Sequence, residues 1–252
     1  MISVCMTTYN GERFIREQIR SILRQLNIDD ELIISDDGST DNTIEIISSF
    51  QDKRIKLYHH NKKQLRRKIA ASFCLVADNF EYAINKAEGE IIYLADQDDI
   101  WYPNRIENTQ YYLKDYDLVM CNYNVINGEN EIIYNKFYSK NPVSRYLLKN
   151  ILKTPFLGCC MAFKRNVLEY CMPFPKTCIG HDYWLGCLIV HLGAFKYIEE
   201  PLHYYRKHLT NVSPATGKSN NPFWFKIIYR VQFMSNIMLY SIKYKWLCFR
   251  IL

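Results

Sequence analysis

The run Ile2-Ser3-Val4-Cys5-Met6 is a short, mostly apolar stretch of the kind that makes a buried strand. After it, Ile15, Ile19, Ile22, Leu23 and Leu26 recur at helical spacing, and Glu31-Leu32-Ile33-Ile34-Ser35 reads as a second strand. Asn42 with Glu45 three residues on has the spacing of a capping box, which predicts a short helix carrying Ile44, Ile47 and Phe50. Ile55 to Tyr58 is a third strand. Phe73, Val76, Phe80, Ala83 and Ala87 share one helical stripe that Gly89 terminates, just before a fourth strand at Ile91 to Ala95. Four strands alternating with three helices predict an α/β fold, a mostly parallel sheet flanked by helices, with ligands at the carboxyl ends of its strands. Farther on, Asp117 to Cys121 predicts another strand, residues 122 to 142 are polar and turn-rich, and Gly158 to Phe163 reads as a small-residue strand able to approach a ligand closely.

The carboxyl-end rule selects three loops: Thr7-Thr8-Tyr9-Asn10-Gly11, Asp36-Asp37-Gly38-Ser39 and Asp96-Gln97-Asp98-Asp99. Three carboxylates in four residues repel one another and lose hydration at the end of a buried strand, a cost that a cation offsets. Mg²⁺ or Mn²⁺ carrying a phosphate ligand suits this arrangement, because such a cation takes one or two carboxylates and fills its other positions with water and phosphate oxygens. Each loop alone has a plainer reading. The tetrad would serve as an acidic helix start contributing ~0.3–1 kcal/mol, and Asp36-Asp37-Gly38 as a turn and N-cap. At one rim, the three make a nest for a base, a ribose and a diphosphate.

Size and charge narrow the picture. The 252 residues, 48% hydrophobic and 23% charged, suit one large α/β domain or a domain with an appendage. Nine cysteines without a C-x-x-C spacing indicate neither a disulfide framework nor a zinc site, so reduced thiols in a cytoplasmic chain are expected. The N-terminus lacks a basic segment followed by an apolar one, and no stretch has the roughly 18 apolar residues of a spanning helix. The net charge of +6 belongs to the tail: residues 201 to 252 hold eight lysines and arginines and no acid, leaving the first 200 residues at −2. From residue 222 onward, aromatic, aliphatic and basic residues mix in a pattern that predicts a pair of helices suited to the headgroup layer of an anionic membrane. Nucleic acid is not expected as a partner, since no recognised motif accompanies the basic residues and an acidic cleft repels phosphate lacking a metal.

Four motifs, Met6 to Gly11, Asp36 to Thr43, Asp96-Gln97-Asp98-Asp99-Ile100-Trp101 and Gly180-His181-Asp182-Tyr183-Trp184, occur in the order and spacing of family 2 glycosyltransferases, and the chain resembles their bacterial rhamnosyltransferase-like branch from residue 2 to about residue 213. The resemblance implies a GT-A fold over residues 1–215 with a C-terminal helical extension over 216–252, a nucleotide-sugar donor linked to dTDP or UDP, Mn²⁺ or Mg²⁺, and transfer with inversion. Carried over by position, Thr7 and Tyr9 would contact base and ribose, Asp37 the base, and Asp96 ribose or sugar hydroxyls, while Asp98 would bind the metal. Asp182 would be the catalytic base, with His181 and Trp184 orienting it or facing the acceptor. In Tyr205-Arg206-Lys207-His208 and Asn211-Val212-Ser213, which resemble the family's closing segment, Arg206 or His208 would pair with the diphosphate. The segment Lys62 to Lys68 departs from the family's asparagine and glycine pattern.

The expected activity is an inverting glycosyl transfer to a saccharide acceptor, lipid-linked, in bacterial surface polysaccharide (O-antigen or capsule) biosynthesis, at the inner face of the cell membrane. Two alternatives are a catalytically silent, membrane-bound nucleotide-sugar-binding scaffold and a sugar nucleotidyltransferase. The latter would want a glycine-rich basic loop after the first strand to cradle a triphosphate, which Thr7 to Gly11 is not.

Overall fold

The computed structural model describes residues 1–60, 71–178, 180–208 and 223–251. Its first half holds β1 (Ile2–Thr8), α1 (Ile15–Leu23), β2 (Glu31–Asp36), α2 (Thr43–Ser48), β3 (Ile55–His59), α3 (Ala71–Lys86) and β4 (Ile91–Ala95). These are the predicted elements in the predicted order. The second half holds β5 (Ile100–Trp101), α4 (Arg105–Leu113), β6 (Leu118–Ile126), β7 (Ile132–Tyr134), α5 (Leu147–Lys153), β8 (Met161–Lys164), α6 (Leu168–Cys171), α7 (His181–Leu192), β9 (Phe195–Arg206) and α8 (Phe223–Ile251).

One sheet runs in the order β3-β2-β1-β4-β8-β6-β9-β5, with β7 on β6. β3, β2, β1 and β4 pair in parallel, in a register that sets Thr8 beside Asp36, Asp36 beside His59, and Met6 beside Ala95. Their carboxyl ends therefore finish at one edge. Both faces of these strands are covered, which is why they read as apolar runs rather than alternating ones: Val4, Cys5, Met6, Leu32, Ile33 and Leu94 are fully buried. α1 contributes Ile15, Ile19 and Ile22 to that core, and α3, packed on β1 and β2, contributes Phe80 and Ala83. Each such aliphatic or aromatic side chain contributes ~1.5–3 kcal/mol by leaving water.

Several local expectations are corrected. Asn42 does not cap α2 with its side chain; Asp41 does so instead, accepting from the Thr43 N–H at 3.0 Å, while Asn42 is turned to Glu12. β6 runs on to Ile126 and pairs with β7 inside the stretch expected to be turns. Gly158 to Cys160 is a 3₁₀ turn, and the strand begins only at Met161. The tail is one 29-residue helix, α8, rather than two. That helix is packed into the core: Phe233 stacks on Tyr183 with ring centroids 3.9 Å apart, and Ile237 is fully buried.

Candidate active site

The three rim loops are joined by hydrogen bonds. Gln97 Oε1 accepts from Thr8 Oγ1 at 2.5 Å and from the Tyr9 N–H at 2.9 Å, and its amide donates to the Tyr9 carbonyl at 3.1 Å. Gly11 is required by this clasp, since a Cβ there would stand 2.3 Å from Gln97 Oε1. On the other side, the Asn10 N–H donates to Ser39 Oγ at 2.9 Å and the Thr40 N–H to Asn10 Oδ1 at 2.9 Å. The loop after β1 is thus held between the other two.

The acidic pair at the end of β2 divides its work. Asp36 builds the turn, accepting from the Gly38 and Ser39 N–H groups at 3.0 Å each, and Gly38 sits at φ +82°, a conformation that favours glycine. Asp37 Oδ1 lies 3.0 Å from His60 Nδ1, just past the end of β3. His60 was not singled out in the sequence; the parallel register that brings β3 beside β2 supplies it. Thr7 lies buried at the end of β1, and Tyr9 is half exposed at the rim. The segment Lys62 to Lys68 and residues Asn211 to Ser213 lie outside the described residues.

The tetrad is positioned by β9. β5 pairs antiparallel with β9, Ile100 opposite Tyr204 and Trp101 opposite His203, so the residues just before β5 face those at the end of β9. Asp99 Oδ2 is 2.8 Å from His203 Nε2, and the other ring nitrogen is 2.7 Å from Arg105 Nη1. A guanidinium only donates, so Nδ1 accepts and the proton on Nε2 points to Asp99. Burial, with the Arg105 charge beside it, holds His203 well below its ordinary pKa and therefore neutral. Burial and then the Asp98 charge push the Asp99 carboxyl up to about 8. Asp99 is consumed in this Arg105–His203 relay and in accepting the Arg206 N–H at 2.8 Å.

Arg206 departs from expectation. Its guanidinium is buried: Nε donates to the Asp98 carbonyl at 2.7 Å, Nη2 to Glu17 Oε2 at 2.7 Å, and Nη1 to Asn130 Oδ1, with the Phe14 ring 4.6 Å away. It holds the tetrad from behind. His208, two residues on, meets the tetrad's side chains: Nε2 is 2.7 Å from Asp98 Oδ2, and its ring packs 5.0 Å from that of Phe14. Asp96 is half-buried, and its carbonyl accepts from Gln18 Nε2 at 2.8 Å. Desolvation, followed by the charges of Asp99, Asp98 and Asp182, raises its carboxyl well above the ordinary range. Asp182 reaches this neighbourhood through Gly158, where a Cβ would stand 3.3 Å from its own, next to Cys159, whose thiol lies within 4.8 Å of the Asp96 and Asp99 carboxylates.

Asp182 stands in the first turn of α7, where Oδ1 accepts from the Tyr183 N–H at 2.7 Å. The turn is anchored on both sides, Tyr183 donating to the Ile151 carbonyl at 2.8 Å and Trp184 to that of Cys171 at 2.9 Å. Trp184 is fully buried against Phe233 and Tyr240 of α8, which corrects its expected place near an acceptor. His181 stacks on Phe80 at 3.8 Å, and burial, opposed by the Asp182 charge, lowers its pKa. Its Nε2 abuts Gly158, where a Cβ would stand 2.5 Å away. It supports the turn as a neutral ring.

Cys159, Cys160 and His203 bring ligand atoms within 4.8 Å of one another, but both His203 nitrogens are engaged and Arg105 lies beside them, so this set does not suit a cation. A cavity of 570 Å³ lined by Arg24, Ile106, Glu107, Tyr111 and Lys114 among others shares no residue with the acidic rim. Asp96, Asp99 and Cys159 also bring ligand atoms within 4.8 Å of one another, and Asp98 and His208 stand together beside them with side chains 15% and 11% exposed.

Residues 3–171 match the model of Glycosyl transferase family 2. The chain is 30% identical over 224 residues to the dTDP-rhamnosyl transferase RfbG of Shigella flexneri, covering 82% of this chain and 72% of that one. It is 31% identical over 194 residues to the UDP-Glc:alpha-D-GlcNAc-diphosphoundecaprenol beta-1,3-glucosyltransferase WfgD of Escherichia coli, covering 75% and 70%. Among solved structures, S. aureus TarS 1-349 in complex with UDP superposes with a TM-score of 0.62 at 18% identity, over 82% of this chain and 60% of that chain. Glucosyl-3-phosphoglycerate synthase of Mycobacterium tuberculosis, in complex with Mn²⁺, UDP and glucosyl-3-phosphoglycerate, does so with a TM-score of 0.57 at 21% identity, over 95% and 79%. These likenesses establish the expected GT-A fold. With two thirds of the chain inside the family model and the motif loops gathered at one sheet edge, the chain belongs to glycosyl transferase family 2.

Proposed function

We propose that this protein is a metal-dependent inverting glycosyltransferase that moves a sugar from a dTDP- or UDP-linked donor to a lipid-linked saccharide acceptor in bacterial surface polysaccharide biosynthesis. The observation that carries the reading is a juxtaposition: Asp182 of α7 stands against Gly158, a Cβ there lying 3.3 Å from its own, and the next residue, Cys159, brings its thiol within 4.8 Å of the Asp96 and Asp99 carboxylates of the β4 loop. The names of two relatives, one for dTDP-rhamnosyl transfer and one for a diphosphoundecaprenol-linked acceptor, support the donor and acceptor classes.

Thr7, Tyr9 and Asp37 bind base and ribose, Asp37 being oriented by His60. Asp96 holds ribose or sugar hydroxyls. Asp98 and His208 are the residues that would hold Mn²⁺ or Mg²⁺, a choice supported by the carboxylate and imidazole donors at 2.7 Å and by the Mn²⁺ in a structural neighbour. When bound, such an ion supplies charge stabilisation to a departing diphosphate. Arg206 positions Asp98 from behind. Asp182 takes the acceptor hydroxyl proton, and inversion by one displacement needs only this single base. A hydrolase would need a second carboxyl acting as acid.

The proposed site of work is the inner membrane face, with α8 as the associating element. Among the described residues no helix is long and apolar enough to cross a membrane, and α8 carries three lysines and two arginines but no acid.

Transfer from UDP- and dTDP-sugars, measured with and without Mn²⁺ in the wild-type chain and in Asp182→Asn, tests the proposal. Loss of turnover with donor binding retained is expected. Absence of turnover and of donor hydrolysis in the wild type with every donor, despite nucleotide binding, would replace the enzyme with a binding scaffold.

A further inference from the structure

The acid-free tail has a counterpart in the middle of the chain. Residues 132 to 168 contain no aspartate or glutamate but seven lysines and arginines. This segment includes α5, and the fold sets α5 against α8, where Arg230 Nη2 donates to the Leu152 carbonyl at 3.2 Å. Two basic stretches distant in sequence thus become neighbours.

Both helices turn apolar side chains to solvent. On α8, Phe233, Ile237 and Ser241 face the core, while Trp224, Ile228, Val231, Met238 and Ile242 are exposed at spacings of three, four and seven residues, which put them on the opposite side. Trp224 is 72% and Ile242 66% exposed. On α5, Asn150 and Ile151 are buried, and Leu148 and Leu152, one turn apart, are 58% and 53% exposed. Arg145 and Lys149 sit over the ring of Tyr146, at 4.7 and 5.3 Å, so an aromatic ring with two cations adjoins the leucines.

We infer that α5 is a second lipid-binding element, and that the outer faces of α5 and α8 together form one surface that docks on an anionic bilayer. The inference rests on the membrane reading of α8 given above and extends it to residues that reading does not contain. Charge complementarity selects the partner: apolar side chains on two segments that carry cations and no acid match a layer of anionic headgroups over acyl chains, with Glu169 of α6 as an acid beside α8 at the Lys243 end. A second copy of the chain would bring two basic surfaces together, with like charges opposed.

The placement has a consequence for the acceptor. The inner face of α5 receives the Tyr183 hydroxyl at the Ile151 carbonyl, and Tyr183 adjoins Asp182. A bilayer on the outer face of α5 therefore lies one helix away from the turn that carries the proposed base, on the side from which a lipid-borne saccharide would arrive.

Co-sedimentation of the full chain with phosphatidylcholine vesicles and with vesicles containing phosphatidylglycerol tests this. The wild type is expected to bind only the anionic vesicles. Leu148→Ser/Leu152→Ser and Lys149→Glu/Lys153→Glu should each lower partitioning about tenfold or more, with circular dichroism and the unfolding temperature unchanged because these side chains are exposed. If the wild type and Ile228→Ser/Val231→Ser differ while both α5 variants bind like the wild type, α5 has no part and only the α8 reading survives. If the wild type binds no vesicle, the membrane reading fails and this inference with it. A dimer in solution that Leu152→Ser dissociates, with vesicle binding unaltered, assigns the surface to a second copy and overturns the proposal.

Discussion

His208 Nε2 lies 2.7 Å from Asp98 Oδ2, joining the loop after β4 to a residue 110 positions later in the chain. The pairing follows from β5 and β9, whose antiparallel register brings the two loop ends together. In the proposed function this pair, one carboxylate and one imidazole, would hold the divalent ion, Mn²⁺ or Mg²⁺. Asp98→Asn and His208→Ala should each weaken Mn²⁺ binding in the presence of UDP by more than the roughly 10–100-fold that outer-shell changes cost. Electron paramagnetic resonance titration of free Mn²⁺ measures this, and unchanged affinity in both variants would remove the pair from the metal site.

Asp182→Asn keeps the size of the side chain and its acceptor oxygen toward the Tyr183 N–H, so the α7 turn should persist. Turnover should fall by about 10²–10⁴-fold, the range of a lost general base. Donor affinity, read by calorimetry, should stay within about twofold, because the residue meets the acceptor side. A variant that transfers sugar at the wild-type rate would show that another group takes the proton.

Arg206 is a buried cation with partners on the β4 loop, on Asn130 and on Glu17. Removing it leaves two carbonyls, of Asp98 and Asn127, and two polar side chains without their donor. Arg206→Met should lower unfolding free energy by about 1–3 kcal/mol in urea titrations, the cost of the buried acceptors left unpaired, since Glu17 is 46% exposed and returns to water. Arg206→Lys should recover only part of this, since an ammonium cannot span the same fork.

Glu31 is buried at the start of β2, 2.7 Å from Lys56 Nζ. Burial works to raise its carboxyl, but hydrogen bonds from Lys56, Ser3 and the Glu88 N–H outweigh it and hold the pKa below its ordinary value. A depressed folded pKa means that the unfolded chain binds the proton more readily, so this stabilisation is present above the ordinary carboxylate range and is lost as pH falls through the folded value. Glu31→Gln should therefore be less stable than wild type at neutral pH, with the difference shrinking in acid. Thermal unfolding of both proteins from neutral to acidic pH reads it, and a constant difference would contradict the assignment.

Phe233 reaches from α8 into the core, stacking on Tyr183 and edge-on to Trp184. Phe233→Ala should cost about 3–5 kcal/mol. Deleting the tail would expose the same aromatic cluster on α7, so a truncated chain reports on folding as much as on membranes. Chemical denaturation of Phe233→Ala, with its midpoint compared to wild type, checks the value.

The half of the fold built from local pattern was readable in the chain. β1 to β4 and their intervening helices carry an unbroken helical or strand period, because each buries a continuous apolar face against an adjacent layer. The loops at their carboxyl ends followed from the parallel topology. The second half resisted for a physical reason: β5 has two residues and β7 has three, too short to carry a period, and they exist only because β9 and β6 offer partners. The single helix α8 has no clear amphipathic period because it is apolar on both sides, one facing the core and one facing out.

The sequence by itself determined the fold class, the three rim loops and the acids that line them, since strand ends and charge clusters are local properties. Tertiary structure alone decided which of those residues are free to act. Arg206 and Asp99, equal on paper to their neighbours, are tied into buried networks, whereas His208 and His60 stand against the carboxylates of Asp98 and Asp37. Trp184, two residues from the proposed base in sequence, points to the opposite side of its helix and holds α8. A side chain's role depends on what surrounds it once the strands have paired, and residues far apart in the chain supply those surroundings.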